Sequence, residues 1–239
     1  MGVAMPGSGS RGFQIAIDGP VAAGKSTVAK KVAEKLCFLY VDTGAMYRVA
    51  TLLAFENSVA FDDEGAIVEL VEGAEIELKK PEGDEVDGRL CTVVVNGEDV
   101  SWKIRSQDIN KNVAKVAMLS EVRAALVKKQ QEIAEANDVV MEGRDITSVV
   151  LPDANLKIYL DANLAVRVER EYWQLRGEGH QVSREEVEKQ LVERDELDKN
   201  RETDPLRVVE GAWVFDTSDL GIDEVVGRIV ERVGELRSG

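Results

Sequence analysis

Histidine is all but missing from this chain: His180 is the single one in 239 residues. Chemistry built on a histidine base or on histidine metal ligands therefore has one candidate. That candidate sits in a glycine-flanked break, Gly177-Glu178-Gly179-His180, where a solvated side chain is expected. Cysteine is nearly as scarce. Cys37 and Cys91 lie far apart and fit no metal or redox spacing, so they read as buried thiols of a protein kept in a reducing cytoplasm. No apolar run approaches the ~20 residues of a membrane span, and residues 1–12 lack the apolar centre of a secretory signal. Their Pro-Gly-Ser-Gly-Ser run reads as a disordered leader. Positive charge is also in deficit, with 30 Lys and Arg against 45 Asp and Glu, a net −15. A general nucleic-acid binder needs a basic face and is excluded on that ground. Any site for a phosphate-bearing ligand must then be locally basic within an anionic body.

Such a site is visible. Gly19-Pro20-Val21-Ala22-Ala23-Gly24-Lys25-Ser26-Thr27 fits the phosphate-loop pattern G-x-x-x-x-G-K-[ST]. In that pattern backbone N–H groups surround the phosphates, Lys25 reaches the terminal ones and the Ser26 hydroxyl ligates a phosphate-bound Mg²⁺. The flanks agree with it. Phe13-Gln14-Ile15-Ala16-Ile17 is a short apolar run of the buried parallel-strand kind, and Val28, Ala29, Val32, Ala33 and Leu36 recur at helical spacing. Strand, glycine loop and helix in that order aim a helix N-terminus at an anion.

Further along, Phe38-Leu39-Tyr40-Val41 predicts a second strand ending at Asp42-Thr43-Gly44, with Arg48 one turn into the next helix. From residue 59 to 104 the texture changes. Thr92-Val93-Val94-Val95, Asn96-Gly97 and Glu98-Asp99-Val100 read as a β-hairpin, because Asn-Gly supplies a type I′ turn. Ile76-Glu77-Leu78 adds a third strand, so a small antiparallel lobe is expected between α/β units. Residues 107–136 read as one helical stretch, with Val122, Ala125, Leu126 and Ile133 on its buried face and Arg123 beside them. Val139-Val140-Met141 predicts a strand whose carboxyl end carries Glu142-Gly143-Arg144-Asp145, where ligands of open α/β sheets bind. After the strand Leu156-Lys157-Ile158-Tyr159-Leu160 come two charged helices, the second started by the capping box Ser183-x-x-Glu186. They carry Arg167, Arg170 and Arg176, then Arg194, Asp195, Asp198 and Arg201, and read as a mobile flap or, by periodicity alone, as a solvated helical hairpin laced with i, i+4 pairs. Trp213-Val214-Phe215-Asp216 and a regular amphipathic helix close the chain. The alternation predicts a P-loop-type, doubly wound, mostly parallel α/β sheet flanked by helices.

Phosphoryl transfer depends on positioning and charge neutralisation, and the arginines above supply forked cations for phosphate oxygens. An acceptor that is itself a phosphate monoester needs no general base, since its second pKa near ~6 leaves it largely ionised at neutral pH. A chain so poor in histidine fits that requirement.

With these motifs assembled, the chain resembles the bacterial cytidylate (CMP/dCMP) kinases of the P-loop nucleoside-monophosphate kinase group. The markers are Ile17-Asp18-Gly19-Pro20, Asp42-Thr43-Gly44-Ala45-Met46-Tyr47-Arg48, Asn96-Gly97-Glu98-Asp99-Val100-Ser101 with Ile104-Arg105, and Val122-Arg123. Glu142-Gly143-Arg144-Asp145-Ile146 and Arg194-Asp195-x-x-Asp198-x-x-Arg201 with Pro205-Leu206 complete them. The resemblance implies transfer of the ATP γ-phosphate to CMP or dCMP with Mg²⁺. It implies catalytic roles for Lys25, Arg170 and Arg194, nucleotide binding by residues 19–27, and Ser26 on the metal. Asp42, Thr43, Arg48, Arg123, Arg144, Asp145, Arg194, Asp198 and Arg201 would bind the acceptor, with Arg123 and Asp145 at the cytosine and Asp198 at the ribose. The implied division is a core of 13–58, 105–162 and 208–239, a monophosphate-binding insertion of 59–104, and a lid of 163–207. A monomer with small-molecule partners is expected, without nucleic acid or membrane. Three positions depart from the family pattern: Ala114 replaces a base-contacting serine, Thr147-Ser148 replaces Gly-Thr, and Glu171 stands where a second lid arginine is common. Ala114 leaves open a related kinase acting on UMP, AMP or a non-nucleotide acceptor, and Glu171 a nucleotide-binding module without catalysis.

Overall fold

The computed structural model describes residues 11–89, 91–201 and 203–238. Most of the expected leader thus lies outside the described residues. Five apolar strands form one wholly parallel sheet in the order β2-β6-β1-β7-β8. They are β1 (Gln14–Asp18), β2 (Leu39–Asp42), β6 (Val139–Gly143), β7 (Leu156–Asp161) and β8 (Trp213–Asp216). Every residue of β1 is buried, as a central parallel strand covered on both faces requires. The chain runs outward from β1 to β2, returns to insert β6 between them, and then continues on the other side of β1. Its direction therefore reverses beside the carboxyl end of β1, where such sheets bind ligands.

Helices α1 (Lys25–Leu36) and α8 (Ile222–Ser238) pack together, and α2 (Thr43–Glu56) packs with a second group of helices. The amphipathic pattern accounts for this: Val225, Val226, Ile229 and Val233 form the buried stripe of α8, while Val28, Ala29, Val32 and Ala33 form that of α1. Burying each aliphatic side chain of this kind contributes about 1.5–3 kcal/mol before the entropy of ordering is subtracted.

Between these units lies the antiparallel sheet β3 (Ile76–Lys79), β4 (Thr92–Val95) and β5 (Glu98–Asp99). Its hairpin turns through Asn96 and Gly97 at φ 52° and 83°, the left-handed values that a type I′ turn demands. The segment before it holds a helix that the sequence reading passed over, α3 (Glu64–Gly73), which packs on α2 and on the helix Ser120–Ala136. Its signature was present: the Asp63 carboxylate caps Ala66 N–H at 3.2 Å, and Ile67 and Val71 follow at the i, i+4 spacing.

Two other expectations need correction. Residues 107–136 form two helices, α4 (Gln107–Val116) and α5 (Ser120–Ala136), separated by a turn through Ala117, Met118 and Leu119. The turn lets α4 pack on α2 while α5 packs on both α2 and α3. The cysteines also differ from one another, since Cys91 is buried but Cys37 is exposed at the end of α1. Burial pushes the Cys91 thiol up to about 12. An aromatic disulfide reagent at about pH 8 is therefore expected to titrate Cys37 in the native protein and Cys91 only after unfolding. Two fast equivalents from the native state would contradict this packing.

Candidate functional site

The loop after β1 opens with a close approach. A Cβ on Gly19 would lie 2.0 Å from the Leu160 carbonyl oxygen, so only glycine fits against β7 there. Gly24, at φ 91°, then hands the chain to α1. No side chain caps that helix, so its first N–H groups stay available to an anion. Lys25 is buried and donates to the Pro20 carbonyl at 2.7 Å. Burial, assisted by the nearby Arg144, pushes its ammonium down to about 7, with Glu142, Asp18 and Asp198 pulling the other way. A buried cation with one carbonyl partner is ready for a phosphate, which would restore the charge balance lost on leaving water.

Beside it, Ser26 Oγ donates to Glu142 Oε1 at 2.6 Å, and Tyr40 OH reaches the same oxygen at 3.2 Å. Desolvation raises the Glu142 pKa, with Asp42 adding to the rise and Lys25, Ser26 and Arg144 opposing it. The donors here are all oxygens, the set that suits Mg²⁺. Among the described residues no group of three or more His, Cys, Asp or Glu could hold a metal ion alone. An ion carried in on a nucleotide, with phosphates supplying further ligands, matches that arrangement.

Next to the loop the arginines converge. Arg144 Nε bonds Asp198 Oδ2 at 2.8 Å, and Arg194 Nε stands 3.6 Å from the other oxygen of the same carboxylate. Arg48 donates to Asn110 Oδ1 at 3.2 Å, and its pKa is lowered, chiefly by burial, with Arg105 and Arg194 adding to the effect. Asp42 caps α2 through Ala45 N–H at 3.1 Å and stands 3.7 Å from Arg105. Thr43 Oγ1 donates to the Glu142 carbonyl at 2.9 Å. Deeper in, the Arg123 Nη2 group bonds Asp145 and, at 3.1 Å, Asp204. Arg201 Nη2 lies 3.4 Å from the same Asp145 oxygen. Arg123 Nε and Arg201 Nη2 are buried without hydrogen-bond partners among the described residues. Donors left unpaired in a pocket are unusual in a settled core and mark where a ligand's acceptors would go.

A profile of the family described as Cytidylate kinase matches residues 15–235. The chain belongs to the cytidylate kinase family. It is 47% identical to the cytidylate kinase of Caldanaerobacter subterraneus subsp. tengcongensis, covering 95% of this chain and 96% of that one. The cytidylate kinase of a Geobacillus strain is 46% identical, covering 93% and 97%, and that of Lactobacillus gasseri is 44% identical, covering 92% and 93%.

Within this member of the cytidylate kinase family, Lys25, Ser26, Asp42, Thr43, Arg48, Arg144, Arg194 and Asp198 are linked around the loop, while Arg123, Asp145 and Arg201 form an adjoining cluster. Arg170 sits against the phosphate loop, apart from the other arginines. Its guanidinium donates to the Ala23 carbonyl at 3.3 Å and to the Thr217 carbonyl at 2.8 Å. Arg167 spans α6 (Leu164–Gly177) and α7 (Arg184–Asn200), bonding Asp195 at 2.7 Å and the Val21 carbonyl at 3.2 Å. Val168, Val187 and Leu191 give these two helices a small apolar core of their own, resting on Val21 and Ala22. Glu171 is half-buried, and burial raises its pKa. His180 is exposed.

Sequence reasoning gave Asp18 no role beyond its place in a motif. Its buried carboxylate accepts from Ile146 N–H at 2.9 Å, Thr147 N–H at 2.8 Å and Thr147 Oγ at 2.6 Å. The Thr147 departure from the family pattern thus supplies one of three bonds that compensate a buried charge. Residues Ile146–Val150 form a π-helical turn there, which periodicity over five residues could not have revealed.

Proposed function

We propose that this protein transfers the γ-phosphate of ATP to CMP or dCMP, giving ADP and CDP or dCDP. The observation that carries the reading is the joining of the Lys25 cradle to the Arg48–Arg194–Asp198–Arg144 group within one crevice. Residues 19–27 wrap the donor phosphates with backbone N–H groups, and Lys25 binds their outer oxygens. Ser26 would hold Mg²⁺, with Glu142 fixing its hydroxyl. Bound there, Mg²⁺ supplies charge neutralisation for the phosphates.

Arg48, Arg144 and Arg194 hold the acceptor phosphate, with Asp42 and Thr43 nearby, while Asp198 takes the ribose, Arg123 with Asp145 the base, and Arg201 binds the acceptor beside that pair. Each guanidinium arrives already oriented by a carboxylate or amide, which lowers the entropy cost of aligning the two phosphates. The acceptor oxygen is ionised at neutral pH, so no side chain needs to remove a proton. The single histidine stands in solvent, consistent with that economy.

The 59–104 insertion and the 163–207 helices close over the two nucleotides and exclude water. Arg170 is the lid cation of this scheme. Closing would take it from the Ala23 and Thr217 carbonyls to the transferring group. Monomeric action suffices, since all these groups come from one chain.

A coupled ADP-release assay across CMP, dCMP, UMP and AMP tests the reading. CMP and dCMP are expected to lead, Mg²⁺ to be required, and hydrolysis without acceptor to be slow. The exposed Ala114, which offers the base no hydrogen bond, favours the second reading of a UMP or AMP kinase. UMP or AMP ranking first would establish that one instead.

A further inference from the structure

The base end of the acceptor site holds a carboxylate that the family motifs do not include. Asp204 follows α7 in a short return loop, fastened where Leu206 N–H bonds the Asp198 carbonyl at 2.8 Å. Its φ of 51° is left-handed, a conformation that aspartate tolerates better than most residues. That twist turns the side chain toward α5, where it accepts from Arg123 Nη2 at 3.1 Å. The Asp204 carbonyl meanwhile accepts from Arg201 Nε. One residue thus holds both guanidinium groups of the deeper cluster.

The charges then balance. Arg123 and Arg201 face Asp145 and Asp204, two cations against two anions, with the Asp204 side chain still 29% exposed and open to a ligand. Ionised carboxylates only accept hydrogen bonds. Where these two carboxylates meet a base they match an edge that bears an amine and oppose one that bears a carbonyl, while the unpaired Arg123 Nε and Arg201 Nη2 donors suit ring acceptors beside it. Ala114 adds nothing to that choice.

We propose that Asp204 is a specificity-determining residue of the acceptor site, its carboxylate set beside the Arg123–Asp145 pair to favour bases with an exocyclic amine over bases with a carbonyl there. This rests on the CMP/dCMP kinase reading and sharpens it. Leaving a polar ligand group facing an unmatched buried one is heavily penalised, which is the basis of discrimination by sites built around hydrogen bonds.

The experiment measures kcat/KM for CMP and UMP in the unaltered protein, Asp204→Asn and Asp204→Ala, with thermal midpoints taken in parallel. In Asp204→Asn the amide can turn its NH₂ toward a carbonyl. The CMP:UMP ratio is expected to fall roughly tenfold or more, through a higher KM for CMP with kcat less affected, and UMP use should hold or rise. Asp204→Ala should lower the ratio as well, by losing CMP binding without gaining UMP. If both variants keep the unaltered ratio while the parent protein prefers CMP, the Asp204 proposal is overturned and the kinase reading stands. A parent protein that prefers UMP overturns both.

Discussion

Lys25→Ala is expected to lower CMP-dependent ATP turnover roughly 10³-fold, the scale seen when one preorganised donor to developing charge is removed. The protein should nevertheless stay folded. Lys25 is buried with the Pro20 carbonyl as its hydrogen-bond acceptor, and burial has drawn its pKa down to about 7, so the native state gains little from holding it. Chemical denaturation of Lys25→Ala should show a midpoint equal to or above that of the parent. Turnover within tenfold of the parent would remove Lys25 from the reaction and with it the donor half of the mechanism.

The opposite pattern is expected of Arg123→Ala, where the loss of stability comes first. Arg123 and Asp145 are both buried, and removing one member of such a pair leaves the other uncompensated at a cost of about 3–5 kcal/mol. Arg201, 3.4 Å from the same Asp145 oxygen, places the expected loss toward the lower end of that range. Urea unfolding measures it directly. In the folded fraction, KM for CMP should rise on the order of a hundredfold, because a charge-assisted hydrogen bond to the base is lost at a desolvated site. A variant as stable as the parent would mean that the Arg123–Asp145 pair contributes nothing net, and an unchanged KM would take Arg123 away from the base.

What the chain could reveal beforehand follows from the range over which each signal acts. The phosphate loop, the flanking strand and α1 are contiguous, so pattern and period sufficed. The Asn96-Gly97 hairpin was equally local, since one dipeptide fixes its φ values. Residues 107–136 misled because helical periodicity runs through Ala117, Met118 and Leu119, and the reason for a turn there lies in where α4 and α5 pack. Helix α3 carried a legible signal of its own, the Asp63 cap and the Ile67–Val71 stripe, but only two buried apolar positions mark its ten residues, and the strand β3 follows directly. Within the site, motifs could nominate the arginines but not their partners. Asp198 stands beside Arg194 by the i, i+4 step along α7, but that it also holds Arg144 depends on α7 reaching the end of β6, a relation no spacing encodes. The exposure of Cys37 and the role of Asp18 are tertiary facts of the same kind.

The three hydrogen bonds received by Asp18 bear on how the two nucleotides are kept in line. That residue ends the strand leading into the donor loop, while Ile146 and Thr147 begin just after the Arg144-Asp145 pair. The two halves of the crevice are thereby riveted at their base by one carboxylate, whatever the covering segments do above. On the proposed reading, closure would govern only who enters and how much water remains. Under that reading, the span between the cation that would greet the incoming triphosphate and the guanidinium that would steady its recipient is set by the sheet.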